Sequence, residues 1–158
     1  MSLNLSKLKA DLIRDECIAK RREDRPGRLF IYRDSVGIDS IGVGRNMRDK
    51  GISVPEAMFM LDNDIQEHLD LLDRELPWWR ELDDVRQLAL ANLAFNLGVG
   101  PTVEQPEGKL LTFKSTLALL HAGDYEKVAE HLKDTPWYKQ VGDRGKRIVS
   151  MLETGIAV

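Results

Sequence analysis

One short stretch of the chain, residues 28–45, has the composition of β-strands, and it lies between segments with helical spacing. It is rich in β-branched and aromatic residues and is broken at Asp34-Ser35 and at Gly37. This pattern predicts a hairpin or a small three-stranded sheet. Because no other stretch carries a convincing strand signal, we expect an α+β fold, mostly helical, with one β lobe inserted after the first helix.

Apolar residues recur at spacings of three and four on both sides of this stretch, which predicts helices. The first helix is expected over residues 5–19. Ser53-Val54-Pro55-Glu56 resembles a capping box and opens a long helix that ends before Pro77. A central helix is predicted over 82–97, followed by a loop over 98–112. Short helices are predicted at 113–121, 124–132 and 144–153, with a brief turn at 135–141.

A chain of 158 residues corresponds to one domain and can bury a sizeable core. We therefore expect a single domain over residues 1–158, built from two lobes. The N-terminal lobe with the hairpin covers about 1–60, the linking helix about 54–75, and the helical lobe about 76–158.

Charge and composition exclude several classes of protein. The net charge of -3 argues against a nucleic-acid partner. No apolar run approaches the 18 residues of a membrane span, and the charged N-terminus does not read as a secretory signal. The single cysteine, Cys17, excludes an intramolecular disulfide and fits a reducing compartment. We expect synthesis in a cytoplasm, no membrane insertion and a monomer.

Several residues that often carry chemistry do not form a recognisable site. His68, His121 and His131 lie on separate helical segments without metal-ligand spacing, so surface or structural roles are expected. Cys17 has no adjacent histidine to activate it and reads as a small buried residue. These residues therefore predict no metal site.

Two carboxylates and a hydroxyl form a more informative pattern. Glu16 closes the first amphipathic helix, Asp34 lies at the hairpin turn, and Ser40 follows on the return strand. Glycoside hydrolysis needs one protonated acid and one ionised carboxylate across the scissile bond. Taken alone, the pairing is a weak signal, because acidic residues are common in this chain and ordinary surface charge is the more usual explanation.

The residues around these carboxylates extend the pattern. They read Leu-Ile-Arg-Asp-Glu at 12–16, Ile-Tyr-Arg-Asp-Ser-Val-Gly at 31–37 and Ser-Ile-Gly-Val-Gly-Arg at 40–45. This order resembles the phage lysozymes of glycoside hydrolase family 24, the T-even phage lysozyme type. Residues 85–98, 113–125 and 137–155 resemble the later helices of that family, so the similarity spans nearly the whole chain.

The resemblance implies a lysozyme-like fold and a function. Such enzymes cleave the β-1,4 bond between N-acetylmuramic acid and N-acetylglucosamine in the glycan strands of peptidoglycan, without metal or cofactor. It implies that Glu16 is the general acid, that Asp34 positions or activates water in an inverting reaction, and that Ser40 helps to hold that water. It also implies that Asn96 contacts the glycan and that Arg144 approaches the catalytic glutamate.

Alternatives remain open at three of these positions. Glu16 and Asp34 are 18 residues apart, about double the usual interval, whereas Glu23 lies closer to the usual spacing. We prefer Glu16 because Glu23 lies in a charged run, which is usually a solvated face. Asn96 could instead cap its helix, and Arg144 could pair with an acid on the last helix. Trp137 is expected in the core rather than as a sugar platform.

The resemblance also leaves the biological setting open. The first hypothesis is a phage or prophage endolysin, made in the host cytoplasm, that reaches the periplasm and cell wall after a holin permeabilises the membrane. A virion-associated, wall-penetrating lysozyme is the second hypothesis. A non-catalytic binding protein with a lysozyme fold is the third.

Overall fold

The computed structural model of the chain describes residues 4–15 and 27–158, and the expected α+β class is confirmed there. Three short strands precede most of the helices: β1 (Tyr32–Arg33), β2 (Asp39–Ile41) and β3 (Arg45–Asn46). The helices of the described residues are α1 (Leu5–Asp15), α2 (Val54–Glu75), α3 (Asp84–Leu97), α4 (Lys114–His121), α5 (Tyr125–Lys133), α6 (Pro136–Val141) and α7 (Asp143–Thr154). Segments Pro77–Glu81 and Leu110–Thr112 form 3₁₀ turns.

The chain divides into two compact units, Met1–Phe59 and Met60–Val158. The described part of the first unit contains the predicted sheet, which is antiparallel in the order β1-β2-β3. Ser40 pairs with Tyr32 on one side and with Asn46 on the other. Gly37 closes the hairpin between β1 and β2 with a φ of +84°, a conformation that favours glycine. The strand signal at 28–45 is thus confirmed as a three-stranded sheet.

The first turn of α2 carries the predicted capping box. The backbone N–H and the hydroxyl of Ser53 both donate to Glu56 Oε2, at 2.8 and 2.7 Å. The Glu56 carboxylate also accepts hydrogen bonds from Nη1 and Nη2 of Arg45. Arg45 Nε donates to the carbonyl of Gly51. These contacts join the end of β3 to the start of α2 within the first unit.

The second unit contains the hydrophobic core of the described chain. Helices α3 and α5 pack on α7, and α4 packs on α5. The central helix α3 buries Ala89, Leu90, Leu93 and Ala94, as its apolar composition predicts. The largest fully buried side chains of the core are Trp79, Leu72, Leu90, Leu110, Leu120, Leu132, Leu152, Val99, Val128 and Val149.

Two predictions need correction, and one further turn was not predicted. Residues 136–141, predicted as part of a turn, form helix α6, because Thr135 caps its N-terminus and Pro136 occupies a first-turn position. The central helix begins at Asp84 rather than Leu82, since the Asp83 carboxylate accepts the backbone N–H of Arg86 and acts as the N-cap. The chain after Pro77 forms a 3₁₀ turn.

Helix α1 carries the predicted apolar stripe and is described as far as Asp15, so residues 16–19 of the predicted helix lie outside the described residues. No helix in the described ranges is both long enough and apolar enough to cross a membrane.

Candidate functional site

The hairpin of the first unit orients the Asp34 carboxylate. Its Oδ1 accepts the backbone N–H groups of Val36 and Ile38, at 2.9 and 2.8 Å. Its own backbone N–H donates to the carbonyl of Ile38 at 2.9 Å. Asp34 is half-buried, and its Oδ2 makes no hydrogen bond to a described residue. The turn therefore holds one oxygen in place and leaves the other available to a ligand or a water molecule.

Ser40 lies in the middle strand of the sheet and is only 4% exposed. Its cross-strand neighbours are Tyr32 and Asn46, so these three residues share one face of the sheet. The opposite face carries the pair Arg33 and Asp39, joined by an ion pair of 3.0 Å between Arg33 Nε and Asp39 Oδ1. Hydrogen bonding from Arg33 lowers the pKa of Asp39. Asp39 thus has a structural role across the strands.

The two candidate general acids lie in the part of the chain that the structure does not describe. Glu16, Glu23 and Cys17 all fall within residues 16–26. The assignment of Glu16 as general acid, and the choice between Glu16 and Glu23, therefore stay predictions.

In the second unit, Asn96 is held by a tryptophan rather than by its own helix. Trp137 Nε1 donates to Asn96 Oδ1 at 2.7 Å. Trp137 is 6% exposed, as expected for a core residue, whereas Asn96 is exposed. The helix ends at Gly98, two residues later, and the Asn96 side-chain oxygen is committed to Trp137.

Arg144 contacts an asparagine that sequence reasoning did not single out. Its Nε and Nη2 donate to Asn92 Oδ1 at 3.0 and 2.8 Å, and Nη2 also reaches the carbonyl of Asn92 at 3.2 Å. Within the described chain no carboxylate pairs with Arg144, so the expected alternative of an acid on the last helix is wrong there. The signal in the sequence is the spacing of Asn92 and Asn96, which places two amides on one face of α3.

A groove of about 240 Å³ runs beside these amides. It is lined mainly by apolar side chains of α2 and α3, among them Ile65, Leu88 and Phe95, with Asn92 and Arg144 at its polar side. Leu88 is 59% exposed although it lies in the central helix.

His68 has the structural role that was expected. Its Nδ1 donates to the carbonyl of Asp64 at 2.6 Å, and its Nε2 accepts from Gln105 Nε2 at 3.1 Å. Gln105 Oε1 in turn accepts the backbone N–H of Val99 at 2.7 Å. This chain of bonds ties α2 to the loop that follows α3. Across residues 4–15 and 27–158, no group of three or more His, Cys, Asp or Glu side chains is placed to hold a metal ion.

Comparison with known proteins identifies a family that matches most of the chain. The sequence pattern of the phage lysozyme family matches residues 26–153. This range includes Asp34, Ser40, Asn92, Asn96 and Arg144, while Glu16 and Glu23 lie before its start.

Individual relatives agree with this family match. The chain is 27% identical to the pre-baseplate central spike protein Gp5 of Enterobacteria phage T4, over 85% of this chain and 27% of that protein. It is 31% identical to probable T4-type lysozyme 1 of Dictyostelium discoideum, over 49% of this chain and 41% of the relative. Probable T4-type lysozyme 2 of the same organism is 24% identical, over 84% and 90%. The match thus spans less than half of the first two relatives.

Proposed function

Because the chain belongs to the phage lysozyme family, we propose that it is a peptidoglycan hydrolase, a muramidase that cleaves the β-1,4 bond between N-acetylmuramic acid and N-acetylglucosamine. The observation that carries this proposal is the family match over residues 26–153. The oriented carboxylate of Asp34 and the buried hydroxyl of Ser40, both within that range, support it.

The proposed chemistry assigns a water molecule to Asp34. With Oδ1 held by two backbone N–H groups, Oδ2 is the oxygen that accepts a proton from the attacking water. Ser40 helps to hold that water. Glu16 donates a proton to the leaving oxygen, and Arg144 is assigned to substrate binding. Asn96 contacts the glycan strand.

We propose an inverting reaction, as the family resemblance implies, and such a reaction requires room for a water molecule between the sugar and the base. The carboxyl groups of Glu16 and Asp34 should lie about 6.5–9.5 Å apart, rather than the ~5 Å of a retaining pair. Proton NMR of the first product distinguishes the two outcomes. A first-formed product with the α configuration agrees with inversion, and one that keeps the β configuration contradicts it.

The proposal is tested on purified peptidoglycan with the wild-type protein and two isosteric variants. Glu16→Gln should abolish the release of soluble muropeptides, because an amide cannot donate the proton that the leaving oxygen needs. Glu23→Gln, the matched control, should retain it. Mass spectrometry of the products should show N-acetylmuramic acid at the new reducing ends. An active Glu16→Gln protein removes the acid assignment, and an inactive wild-type protein supports a non-catalytic binding role instead.

For the biological setting, we propose a free endolysin that is made in the host cytoplasm and depends on a holin to reach the periplasm and cell wall. The similarity to a phage spike protein favours a second candidate, a virion-associated lysozyme that penetrates the wall at infection. Immunoblotting of purified virions separates the two. A signal at a constant number of copies per particle supports the virion role, and a signal confined to late lysates supports the endolysin.

A further inference from the structure

His68 on α2 and Gln105 in the loop that follows α3 are joined by one hydrogen bond. The loop covers residues 98–109 and connects α3 to the 3₁₀ turn Leu110–Thr112. Gln105 Nε2 lies 3.1 Å from His68 Nε2, and both side chains are half-buried. Two nitrogens form a hydrogen bond only if one of them donates and the other accepts. The other contacts of the two side chains determine which nitrogen is the donor.

The amide of Gln105 has a single orientation that satisfies its neighbours. The backbone N–H of Val99, a fully buried residue, donates to Gln105 Oε1 at 2.7 Å. No second acceptor for this N–H lies among the described residues. Because a backbone N–H can only donate, Oε1 must face Val99, and the NH₂ group of Gln105 must face His68. Gln105 is therefore the donor of the bond to the imidazole.

This bond requires a neutral imidazole at His68. Its Nε2 accepts from Gln105, so the ring proton is on Nδ1, which donates to the carbonyl oxygen of Asp64 at 2.6 Å. A protonated ring has an N–H group at both nitrogens and would turn a donor toward the NH₂ group of Gln105. A flipped Gln105 amide does not help, because its NH₂ group would then face the N–H of Val99. In either orientation, two donors face each other and one loses its acceptor.

We propose that the bond between His68 and Gln105 is a pH-sensitive latch. It keeps the loop closed on α2 while His68 is neutral, and the loop opens locally at Gln105 and Val99 when the ring is protonated. Histidine is the side chain that ordinarily changes its charge between pH 5 and 8. An unpaired buried donor costs more free energy than a typical hydrogen bond contributes, so protonation favours the open loop. The loop begins two residues after Asn96, so the order of the chain at the end of α3 depends on pH.

The elements around His68 carry few charged groups. On α3 the neighbour is the uncharged ring of Phe95, whose centroid lies 5.0 Å from that of the imidazole. The charged side chains on α2, on α7 and in the loop are Asp64, one turn before His68, Arg144, which lines the same groove, and the pair Arg74 and Glu104.

A second contact between α2 and the loop does not respond to pH in the same range. Arg74 Nη1 and Nη2 donate to the two carboxylate oxygens of Glu104, at 2.9 Å each. Hydrogen bonding from Arg74 lowers the pKa of Glu104 to about 2. This ion pair therefore keeps its charges while histidine titrates, so protonation of His68 opens the loop beside Gln105 without detaching it from α2.

Nitrogen NMR of the imidazole tests the protonation state on which the latch depends. At about pH 7.5 the ¹⁵N shifts of His68 should show the tautomer with its proton on Nδ1, and the doubly protonated ring should replace it at lower pH. The opposite tautomer at about pH 7.5, with the proton on Nε2, overturns the latch, because Nε2 could not then accept from Gln105.

Hydrogen exchange of the Val99 amide measures the opening. Its protection factor, which is corrected for the intrinsic pH dependence of exchange, should fall about tenfold between about pH 7.5 and about pH 5 in the wild type. This fall is the equivalent of one lost hydrogen bond. Amides of α7 report global unfolding in the same experiment, and their protection should fall less than that of Val99.

Three variants separate the latch from a general effect of acid. His68→Gln offers an acceptor oxygen but does not titrate, so the protection factor of Val99 should be the same at both pH values. Gln105→Met has a similar length but removes the acceptor of the Val99 N–H, so protection should be low at both. His131→Gln, at an exposed histidine of α5, is the matched control and should keep the wild-type fall.

The latch is also overturned if the protection factor of Val99 falls no more in the wild type than in His68→Gln, or if Gln105→Met keeps the wild-type response to pH. These outcomes do not depend on whether the protein hydrolyses peptidoglycan, so the proposed function is tested separately.

Discussion

At the scale of single residues, Ser40 combines a polar hydroxyl with burial in the middle strand of the sheet. If this hydroxyl helps to hold the attacking water, Ser40→Ala should lower the rate of peptidoglycan hydrolysis about tenfold, the equivalent of one lost hydrogen bond. Ser40→Thr keeps the hydroxyl and should retain activity. Turbidity assays at matched concentrations of folded protein, checked by circular dichroism, measure both. An Ala variant as active as wild type would remove Ser40 from the mechanism.

Arg86 is a residue whose role is stability rather than chemistry. Its guanidinium donates to the carbonyls of Leu152 and Glu153 at the end of α7, forms an ion pair with Asp83, and lies 3.6 Å from the Tyr125 ring centroid. A side chain at Gly155, where φ is +69°, would collide with it.

We therefore predict that Arg86→Met lowers the free energy of unfolding by about 2–4 kcal/mol, because the carbonyls at the end of α7 lose their donors. Arg86→Lys should recover only part of the lost stability, since one ammonium group cannot replace the several donors of the planar guanidinium. Urea denaturation measures both variants. Arg147→Met, at an exposed arginine of α7, is the control and should change stability by less than about 0.5 kcal/mol. An Arg86→Met protein as stable as this control would contradict the assignment.

At the scale of elements, the junction between β3 and α2 depends on the charge of Glu56. Hydrogen bonds from Arg45, and then from Ser53, lower the pKa of Glu56 to about 2, from an ordinary value of 4.5. Because the pKa of Glu56 is lowered in the folded state, the contribution of its charge to the free energy of unfolding is complete above pH 4.5. It is lost as the pH falls through about 2.

The corresponding prediction compares the wild type with Glu56→Gln, which keeps a cap acceptor but does not titrate. The wild type should have the higher melting temperature above about pH 5, and its advantage should shrink steadily between pH 4.5 and 2. Thermal unfolding followed by circular dichroism across this range measures it. Glu81→Gln, at an exposed acid, controls for the removal of one charge. A difference that does not change with pH would show that the contact with Arg45 and Ser53 is not formed.

At the scale of the whole molecule, hydrophobic burial is distributed unevenly. All fully buried hydrophobic residues of the described chain lie between Leu71 and Leu152, in the second unit. In the described part of the first unit, the buried side chain is that of Ser40. Local stability follows the density of buried apolar contacts, so the two units should not resist opening equally.

Native-state hydrogen exchange should show this difference. Backbone amides of α3, α5 and α7 should exchange most slowly, with opening free energies near that of global unfolding. For amides of β1–β3, the free energy of the opening that permits exchange should be lower, by on the order of a few kcal/mol. Exchange followed by NMR provides the measurement. Equal protection of the sheet and of the three helices would show that the chain opens as one cooperative unit, which fits the predicted single domain.

Local patterns in the sequence determined the fold class, most helix boundaries and the hairpin. Strand composition at 28–45 predicted the sheet, and Ser53 with Glu56 predicted the start of α2, because caps, turns and periodicity act over a few residues. Thr135-Pro136 carries the same kind of local signal for the start of α6, although a turn is predicted there. Asp34 was placed at the turn correctly for this reason. The acid at Glu16 stays a prediction from resemblance.

Only the tertiary structure decided how the side chains on α3 are held. Arg144 meets Asn92 across 52 residues, and Trp137 meets Asn96 across 41. No periodicity or cap links such distant positions, since their distance depends on how α3, α6 and α7 pack around a shared core. The sequence determined that these residues lie on helices. Packing decided which donor reaches which amide.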